Sequence, residues 1–312
     1  MSATITADDG VLVRAPGKIN LRLRVGPARA DGYHPLATVF QAVSLFEEVR
    51  AETADRISVT VTGRGADRVS ATKDNLAHRA ARLLAEATGT SEGADLHITK
   101  EVPVAGGMGG GSADAAATLV ACDRLWGTGL DREELGRLAG ELGADVPFAL
   151  TGQTALGRGR GDELTPAMAR GRYSWVLALN QEGLSTQEVF AALDAAGAVP
   201  PNRRVRVPPS MIKALLSPDP ARLAPYLVND LAEAAVRLRP RIDEVLQAFR
   251  HTEALAAIVS GSGPTVAGLA RDRSAAMSIA GELRAADVAD EVLVVHGPVP
   301  GARVVEQFRA TR

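Results

Sequence analysis

Cysteine is nearly absent from this chain, and neither basic nor acidic residues are in excess. The single cysteine, Cys122, rules out an internal disulfide and a cysteine cluster for zinc, and its apolar neighbours indicate a thiol of the core. Lysine and arginine number 35 against 37 aspartate and glutamate residues, a net charge of -2. Such a chain lacks the basic field typical of nucleic-acid binders, so we expect a small-molecule partner and no nucleic acid.

Long apolar runs and a targeting segment are also missing. The sequence has no stretch of 18 consecutive apolar residues, and residues 1–10 are acidic and lack the charged and then apolar order of a signal peptide. We therefore expect a cytoplasmic protein with no membrane partner. Aromatic residues make up 4% of the chain and indicate no clear interface, which favours a monomer or a weak homodimer.

What the chain does have is length and mixed periodicity. Its 312 residues, 46% of them hydrophobic, are enough for two domains with a substantial core. Residues 20–25 and 56–61 alternate between apolar and polar side chains, as half-buried antiparallel strands do. Helix starts are predicted at Asp74 and at Asp131, where Glu134 completes a capping box. Because antiparallel strands are mixed with helices, the sequence predicts an α+β fold rather than a doubly wound sheet.

The pattern restarts after about residue 165, so we expect two domains, residues 1–165 and residues 166–312. The predicted elements of the second half are a strand at 174–180, a helix at 186–196, a proline-rich loop at 200–209, a helix at 240–250, strands at 255–260 and 265–270, and a helix and a strand ending near Val295.

The most informative stretch is a glycine cluster that leads into an alanine-rich helix. Its residues include Pro103, Gly106, Gly107, Met108, Gly109, Gly110, Gly111 and Ser112. Glycines let backbone N–H groups converge on a ligand, and the helix predicted after Ser112 adds unpaired N–H groups and the positive end of its dipole. The cluster therefore predicts a nucleotide phosphate site. It lacks the Lys-Ser or Lys-Thr ending of a Walker A loop and the apolar strand that precedes a Rossmann fingerprint, and a flexible glycine turn is the alternative.

Three shorter clusters contain candidate catalytic groups. Residues 15–20 place Lys18 and Asn20 beside a glycine at the entry to a strand, where a turn with a solvated lysine is the alternative. Asp145 stands between a glycine and an apolar run, so it is a candidate general base, although loop aspartates often cap their own backbone. Residues 259–265 form another glycine turn, which either approaches a phosphate or closes a hairpin.

In this order along the chain, the clusters resemble the three motifs of the GHMP kinase superfamily. The matching segments are residues 16–20, 106–113 and 260–263. The resemblance implies a ribosomal-protein-S5-like α/β domain followed by a ferredoxin-like α+β domain, and an ATP-dependent kinase acting on a small alcohol. It also implies that the glycine cluster binds ATP, and we expect Ser112 at the phosphates or at Mg²⁺.

Within the superfamily, residues 29–36, 143–148 and 229–231 resemble the kinase of non-mevalonate isoprenoid synthesis whose substrate carries a cytidine diphosphate group on methylerythritol. That resemblance implies phosphorylation of the 2-hydroxyl, with Asp145 as the base and Lys18 as its cationic partner. The substrate-binding residues expected beside them are Asn20, Tyr33, His34, Phe190, Gly261, Ser262 and Gly263.

Three of these residues carry the cytosine hypothesis. Tyr33 and His34 match the positions that stack on and hydrogen-bond the base, and Phe190 is a candidate second wall, with a helix core position as the alternative. A sister enzyme, such as a mevalonate or homoserine kinase or the diphosphomevalonate decarboxylase, would keep the glycine cluster without a pyrimidine site. A non-catalytic nucleotide-binding regulator would be expected to lose Asp145, which is present.

Overall fold

Two β-sheets with packed helices make up residues 10–308, the part of the chain that the computed structural model describes. The ends of the two predicted domains, residues 1–9 and 309–312, lie outside this part. The strands are β1 (Gly10–Val25), β2 (Leu36–Ala54), β3 (Ser58–Gly63), β4 (Gly93–Lys100), β5 (Thr154–Arg158), β6 (Glu163–Pro166), β7 (Tyr173–Leu179), β8 (Val228–Asn229), β9 (Ala256–Val259), β10 (Val266–Ala270), β11 (Glu291–Gly297) and β12 (Arg303–Phe308). The α-helices are α1 (Leu76–Thr88), α2 (Gly110–Trp126), α3 (Arg132–Leu142), α4 (Val146–Thr151), α5 (Thr186–Ala195), α6 (Pro209–Leu215), α7 (Ala232–Leu238), α8 (Arg241–Arg250) and α9 (Arg273–Ala285).

The first sheet has the strand order β12-β1-β2-β4-β3. In addition, β8 pairs with β1, β5 pairs with β2, and β6 pairs with β5. The long strands β1 and β2 are antiparallel, which confirms the prediction for residues 20–25. The prediction of an antiparallel strand at residues 56–61 is wrong in direction, because β3 pairs with β4 in parallel. Helix α1 connects these two strands as a crossover, which parallel neighbours require.

The second sheet is antiparallel with the order β11-β7-β10-β9. Its chain order of strand, helices, two strands, helix and strand is the ferredoxin-like pattern. One face packs against α5 and α7–α9, and the other packs against β1 and β2. At that second contact the indole of Trp175 donates a hydrogen bond of 2.9 Å to Gln41. The α+β prediction is confirmed. The packing also places Gly107 of the glycine cluster next to Ser260, which directly follows β9 of the second sheet.

Several local signals are confirmed, whereas others are shifted along the chain. The capping box of Asp131 and Glu134 is present at α3, and Cys122 is buried. Helix α1 is capped by Asn75 and not by Asp74, because the Asn75 side chain accepts the Ala77 N–H at 2.8 Å.

The second half of the chain contains two elements that the sequence did not predict. Helix α6 begins at Pro209, the last residue of the predicted loop at 200–209, because the first turn of a helix tolerates proline. Strand β12 follows the last predicted strand and returns to the first sheet, where it pairs with β1.

Candidate active site

A cavity of about 700 Å³ opens where the two sheets meet, a volume typical of small-molecule sites. Its lining comes from β1 and β2, from the glycine loop (residues 103–109), from the start of α2, from the two residues before α4, from α5 and from the third glycine turn (residues 260–265). The tertiary fold thus brings the three separate sequence motifs to one cavity.

The three motifs meet at the carbonyl oxygen of Gly107. This oxygen accepts a hydrogen bond from Lys18 Nζ at 2.8 Å and another from the Ser260 hydroxyl at 3.0 Å. Gly107 has a φ of 73°, and a Cβ atom there would lie 2.1 Å from the Ser260 carbonyl oxygen. Only glycine satisfies both constraints, because a side chain would clash and would strain the backbone.

The start of α2 forms part of the cavity wall. Gly109 is the N-cap with a φ of 73° and gives no side-chain cap, and the helix begins at Gly110. It therefore starts earlier than the predicted position after Ser112, so that Gly110, Gly111 and Ser112 form the first turn on the cavity wall. Uncapped first-turn N–H groups and the helix dipole favour an anion at this position.

The predicted phosphate-site residue Met108 has a different place. Its side chain is fully buried in the core with Ile19 and Leu21, and it is not part of the cavity wall within residues 10–308. Its carbonyl oxygen accepts the Lys18 N–H at 2.9 Å. Met108 therefore anchors the glycine loop to β1, because an apolar side chain between two sheets gains more from burial than from contact with a phosphate.

Lys18 and Asp145, the predicted catalytic pair, lie next to each other on the cavity wall. Lys18 Nζ lies 3.9 Å from Asp145 Oδ2, and the carboxylate is about one-third exposed. Burial lowers the pKa of Lys18, and the negative charge of Asp145 acts in the opposite direction. The short helix α4, which starts directly after Asp145, holds the carboxylate at the cavity wall.

Asn20 orients the lysine. Its side-chain oxygen accepts from Lys18 Nζ at 2.7 Å, and its amide donates to the Thr38 hydroxyl at 2.8 Å. Two of the three ammonium protons of Lys18 are therefore used on neutral oxygens, those of Asn20 and Gly107, and the third is left for the side where Asp145 lies. A direct contact between Asn20 and a substrate remains a prediction.

The third glycine turn contributes two of its three predicted residues to the cavity. Gly261 and Ser262 line the wall, and the Ser262 hydroxyl lies 3.1 Å from that of Thr186 on α5. Gly263 is not part of the lining in the described chain, because its N–H bonds the Ser260 carbonyl and its Cα faces Val259.

Asn229 holds this turn from behind, a role that sequence reasoning did not assign. Its amide nitrogen lies 2.7 Å from the carbonyl oxygens of both Val259 and Gly261. The segment 229–231 was noticeable in the sequence as part of the family resemblance, but a contact over 30 residues leaves no local signal.

His34 and Phe190 form a stacked pair next to the cavity. Their ring centroids are 5.4 Å apart with an interplanar angle of 28°, and Phe190 lines the cavity. The imidazole of His34 is buried and already has two partners, the Gly26 carbonyl oxygen at 2.7 Å and the carboxylate of Asp194 at 3.2 Å. The expected hydrogen bond from the imidazole to cytosine therefore has no free ring nitrogen here, and His34 lies behind the Phe190 ring.

Tyr33 lies at the rim of the cavity and is 53% exposed. The guanidinium carbon of Arg160 is 5.1 Å from the centroid of its ring. Arg160 and Phe190 line the cavity, whereas Tyr33 and His34 do not belong to the lining found among residues 10–308. The predicted cytosine residues are thus close together, but they reach the cavity to different extents.

A buried ionic cluster under the start of α2 was missed by sequence reasoning. Lys100 Nζ lies 2.5 Å from Glu47 Oε1 and 2.6 Å from Asp114 Oδ2, and all three side chains are almost fully buried. Burial and the neighbouring charge of Asp114 raise the pKa of Glu47 to about 7. Burial lowers the pKa of Lys100, but the two carboxylates outweigh it and raise this pKa above its ordinary value. A Cβ on Gly110 would lie 2.8 Å from Glu47 Oε1, so the cluster directly supports the first turn of α2.

The cavity continues past α2 toward residues 68–76. Val69 and Leu76 give this end an apolar wall, and Ser70 and Asn75 add polar groups. Within residues 10–308, there is no group of three or more His, Cys, Asp or Glu side chains that could hold a metal ion. No helix in the same range is long and apolar enough to span a membrane.

Family comparisons agree with the geometry. The family of GHMP kinases N terminal domains matches residues 75–153, and the GHMP kinases C terminal family matches residues 211–289. Among solved structures, a crystal structure of 4-(cytidine 5'-diphospho)-2C-methyl-D-erythritol kinase is 33% identical with a TM-score of 0.75, covering 92% of this chain and 98% of that one. A homoserine kinase from Cytophaga hutchinsonii has the same TM-score of 0.75 at 19% identity, with 98% of this chain and 100% of that one covered, and so shares the fold.

Curated relatives show to which group of GHMP kinases the chain is similar in sequence. The 4-diphosphocytidyl-2-C-methyl-D-erythritol kinase of Leifsonia xyli subsp. xyli is 54% identical over 305 residues, covering 95% of this chain and 99% of the relative. The enzyme of the same name from Nocardia farcinica is 51% identical over 296 residues, covering 95% and 96%. The chain therefore belongs to the 4-diphosphocytidyl-2-C-methyl-D-erythritol kinases, a family of GHMP kinases.

Proposed function

We propose that the chain transfers the γ-phosphoryl group of ATP to the 2-hydroxyl of 4-diphosphocytidyl-2-C-methyl-D-erythritol, giving the 2-phosphate and ADP. The observation that carries this proposal is the position of Asp145 and Lys18, 3.9 Å apart, in the same cavity as the uncapped first turn of α2. Such an arrangement provides a base, a cation and an anion site within reach of one another.

Asp145 takes the proton of the 2-hydroxyl while the oxygen of that hydroxyl attacks the γ-phosphorus. The new O–P bond forms as the bond from phosphorus to the β,γ-bridging oxygen breaks, and ADP leaves with that electron pair. Because a tertiary alcohol is hindered and weakly acidic, alignment and proton removal are the main contributions that the protein can make. Lys18 lies 3.9 Å from this carboxylate and offers its third N–H to the reacting oxygen.

The phosphates of ATP are proposed to lie on the first turn of α2. Gly110, Gly111 and Ser112 line the cavity at this position, and the N-cap Gly109 gives this first turn no side-chain cap. Mg²⁺ neutralises phosphate charge in such reactions, and the Ser112 hydroxyl is the protein group proposed to contact it. Water and the phosphates themselves are other ligands expected for this ion.

The two ends of the cavity are assigned to the two bases. The apolar end at residues 68–76 lies beside the phosphate site, where Leu76 is 3.5 Å from the position of a Cβ on Gly111, and it is proposed for adenine. The end formed by Phe190, next to Tyr33, is proposed for cytosine, because flat aromatic faces stack on bases.

The test is an ADP-release assay in which the cytidylated methylerythritol, mevalonate and homoserine are each offered separately as the phosphoryl acceptor. The proposal requires that only the cytidylated alcohol supports turnover above the ATPase background. It is wrong if the cytidylated alcohol gives no turnover above this background, or if mevalonate or homoserine does. Mass spectrometry of the product, in which the added phosphoryl group remains after the cytidylyl group is removed, shows that transfer is to the methylerythritol part and not to the nucleotide.

A further inference from the structure

Arg160 differs from the other cationic side chains of the cavity wall. Lys18 donates to Asn20 and Gly107, Lys100 lies between two carboxylates, and Arg68 donates to the Gln181 carbonyl oxygen at 2.5 Å. For Arg160, by contrast, the structure of residues 10–308 shows no side-chain hydrogen bond. Its nearest carboxylate is Asp162, at 3.7 Å from Nε.

The main chain around Arg160 is held in place although the side chain is about half exposed. Gly159 and Gly161, with φ of 66° and 101°, make the turn between β5 and β6. The Gly159 carbonyl oxygen accepts the Leu36 N–H at 2.8 Å, and the Arg160 N–H donates to Asp162 Oδ1 at 3.1 Å. The turn is therefore tied to the start of β2, three residues after Tyr33.

This attachment sets the guanidinium beside the tyrosine. The distance of 5.1 Å between the guanidinium carbon of Arg160 and the ring centroid of Tyr33 is within the range of a cation–π contact. Such a contact leaves the planar N–H fork of arginine available to a second partner, and phosphate oxygens match that fork in geometry and charge.

We propose that Arg160 is a specificity-determining residue, which pairs with the diphosphate of the acceptor substrate while it packs against Tyr33. This inference rests on the proposed function, in which the acceptor alcohol lies at Asp145 and its base lies at Phe190. The diphosphate joins these two parts within the cavity, and Arg160, which lines the cavity beside Tyr33, is the cationic side chain of its wall without a side-chain hydrogen bond among the described residues. Mevalonate and homoserine have no diphosphate and gain nothing from this cation.

The experiment measures equilibrium binding of cytidine, CMP and CDP to wild type, Arg160→Ala and Arg160→Lys by calorimetry. Arg158→Ala is the matched control, since Arg158 is a neighbouring exposed arginine at the end of β5 and lies outside the lining of the cavity. We expect Arg160→Ala to weaken CDP binding at least tenfold, in line with loss of a charge-assisted hydrogen bond, and to change cytidine binding less than twofold. Arg160→Lys should lie between wild type and Arg160→Ala, and Arg158→Ala should match wild type.

Steady-state kinetics give the second readout. Arg160→Ala should raise the KM of the cytidylated substrate at least tenfold and leave the KM of ATP and kcat within twofold. An equal loss of cytidine and CDP binding would show that Arg160 only supports Tyr33, and a rise in the KM of ATP would place it at the other substrate. Either result, or unchanged CDP binding, overturns the inference while the proposed function stands. If wild type neither binds CDP nor turns over the cytidylated alcohol, the proposed function itself is wrong.

Discussion

The imidazole of His34 stacks on the phenyl ring of Phe190, with centroids 5.4 Å apart and planes inclined by 28°. Phe190 lines the cavity, whereas the two ring nitrogens of His34 are bound to Gly26 and Asp194. His34 therefore acts on the cavity through Phe190, and the two residues have different weights in substrate binding.

Phe190→Ala should raise the KM of the cytidylated substrate, because about 1–3 kcal/mol of base stacking is lost. Tyr33→Ala should act in the same direction. His34→Ala should cost less than Phe190→Ala, since it removes the support of the ring and not the ring itself. Steady-state kinetics with both substrates measure this, with the KM of ATP as the control. Equal increases for both substrates would mean that the rings only support the fold.

Asp145→Asn should lower kcat by roughly two to four orders of magnitude, the range for loss of general base catalysis. Folding and ATP binding should stay close to wild type, because Asp145 is partly exposed and gives no side-chain cap to α4. Single-turnover kinetics together with ATP titration measure both effects. A decrease in kcat of less than tenfold would remove Asp145 from the role of base.

Gly111→Val should weaken ATP binding at least tenfold while the protein stays folded. Gly111 lies on the cavity wall, and a Cβ there has ordinary contact with Leu76 at 3.5 Å, so the added side chain takes space beside the proposed phosphate site. Gly140→Ala in α3 is the control, because no atom lies within 4 Å of its added Cβ.

Gly110→Ala behaves differently, since its Cβ would lie 2.8 Å from Glu47 Oε1 in the interior. We expect this substitution to lower the free energy of unfolding. In an ATP titration alone, the resulting loss of folded protein would look like weaker phosphate binding. Thermal unfolding of Gly110→Ala, Gly111→Val and Gly140→Ala separates the two causes. Unchanged ATP affinity in a folded Gly111→Val protein would contradict the phosphate site.

Glu47 should make stability depend on pH. Its pKa is raised from 4.5 to about 7 by burial and by Asp114, so the folded chain binds this proton more tightly than the unfolded chain does. The resulting stabilisation is fully present below pH 4.5 and is lost as the pH rises through about 7.

Urea unfolding at pH 5 and pH 8 tests this dependence. The wild type should lose free energy of unfolding on the order of 1–3 kcal/mol between the two values, at roughly 1.4 kcal/mol for each unit of pKa shift. Glu47→Gln, which resembles the protonated form, should lose less. The same slope in both proteins would show that other groups cause the dependence.

Much of the site could be predicted before the fold, because its signals are local. The glycine cluster, the capping box at Asp131 and the strand predicted at 174–180, which the structure places at 173–179, each depend on the order of a few neighbouring residues. The choice of Lys18 and Asp145 came from a family resemblance that uses such short motifs, and the structure brings the two side chains together.

The sequence by itself therefore determined the α+β class and the family, and it predicted which residues do the chemistry. Only the tertiary structure decided which groups face one another. The cluster of Glu47, Lys100 and Asp114 joins two strands and a helix that are far apart in the chain, and the pairing of β12 with β1 joins its two ends. The tertiary structure also stacks the His34 ring on Phe190 and places Arg160 beside Tyr33 at the rim of the cavity. Periodicity gives the face on which a side chain lies but not its partner, because partners depend on packing between distant segments and on the electrostatics of burial.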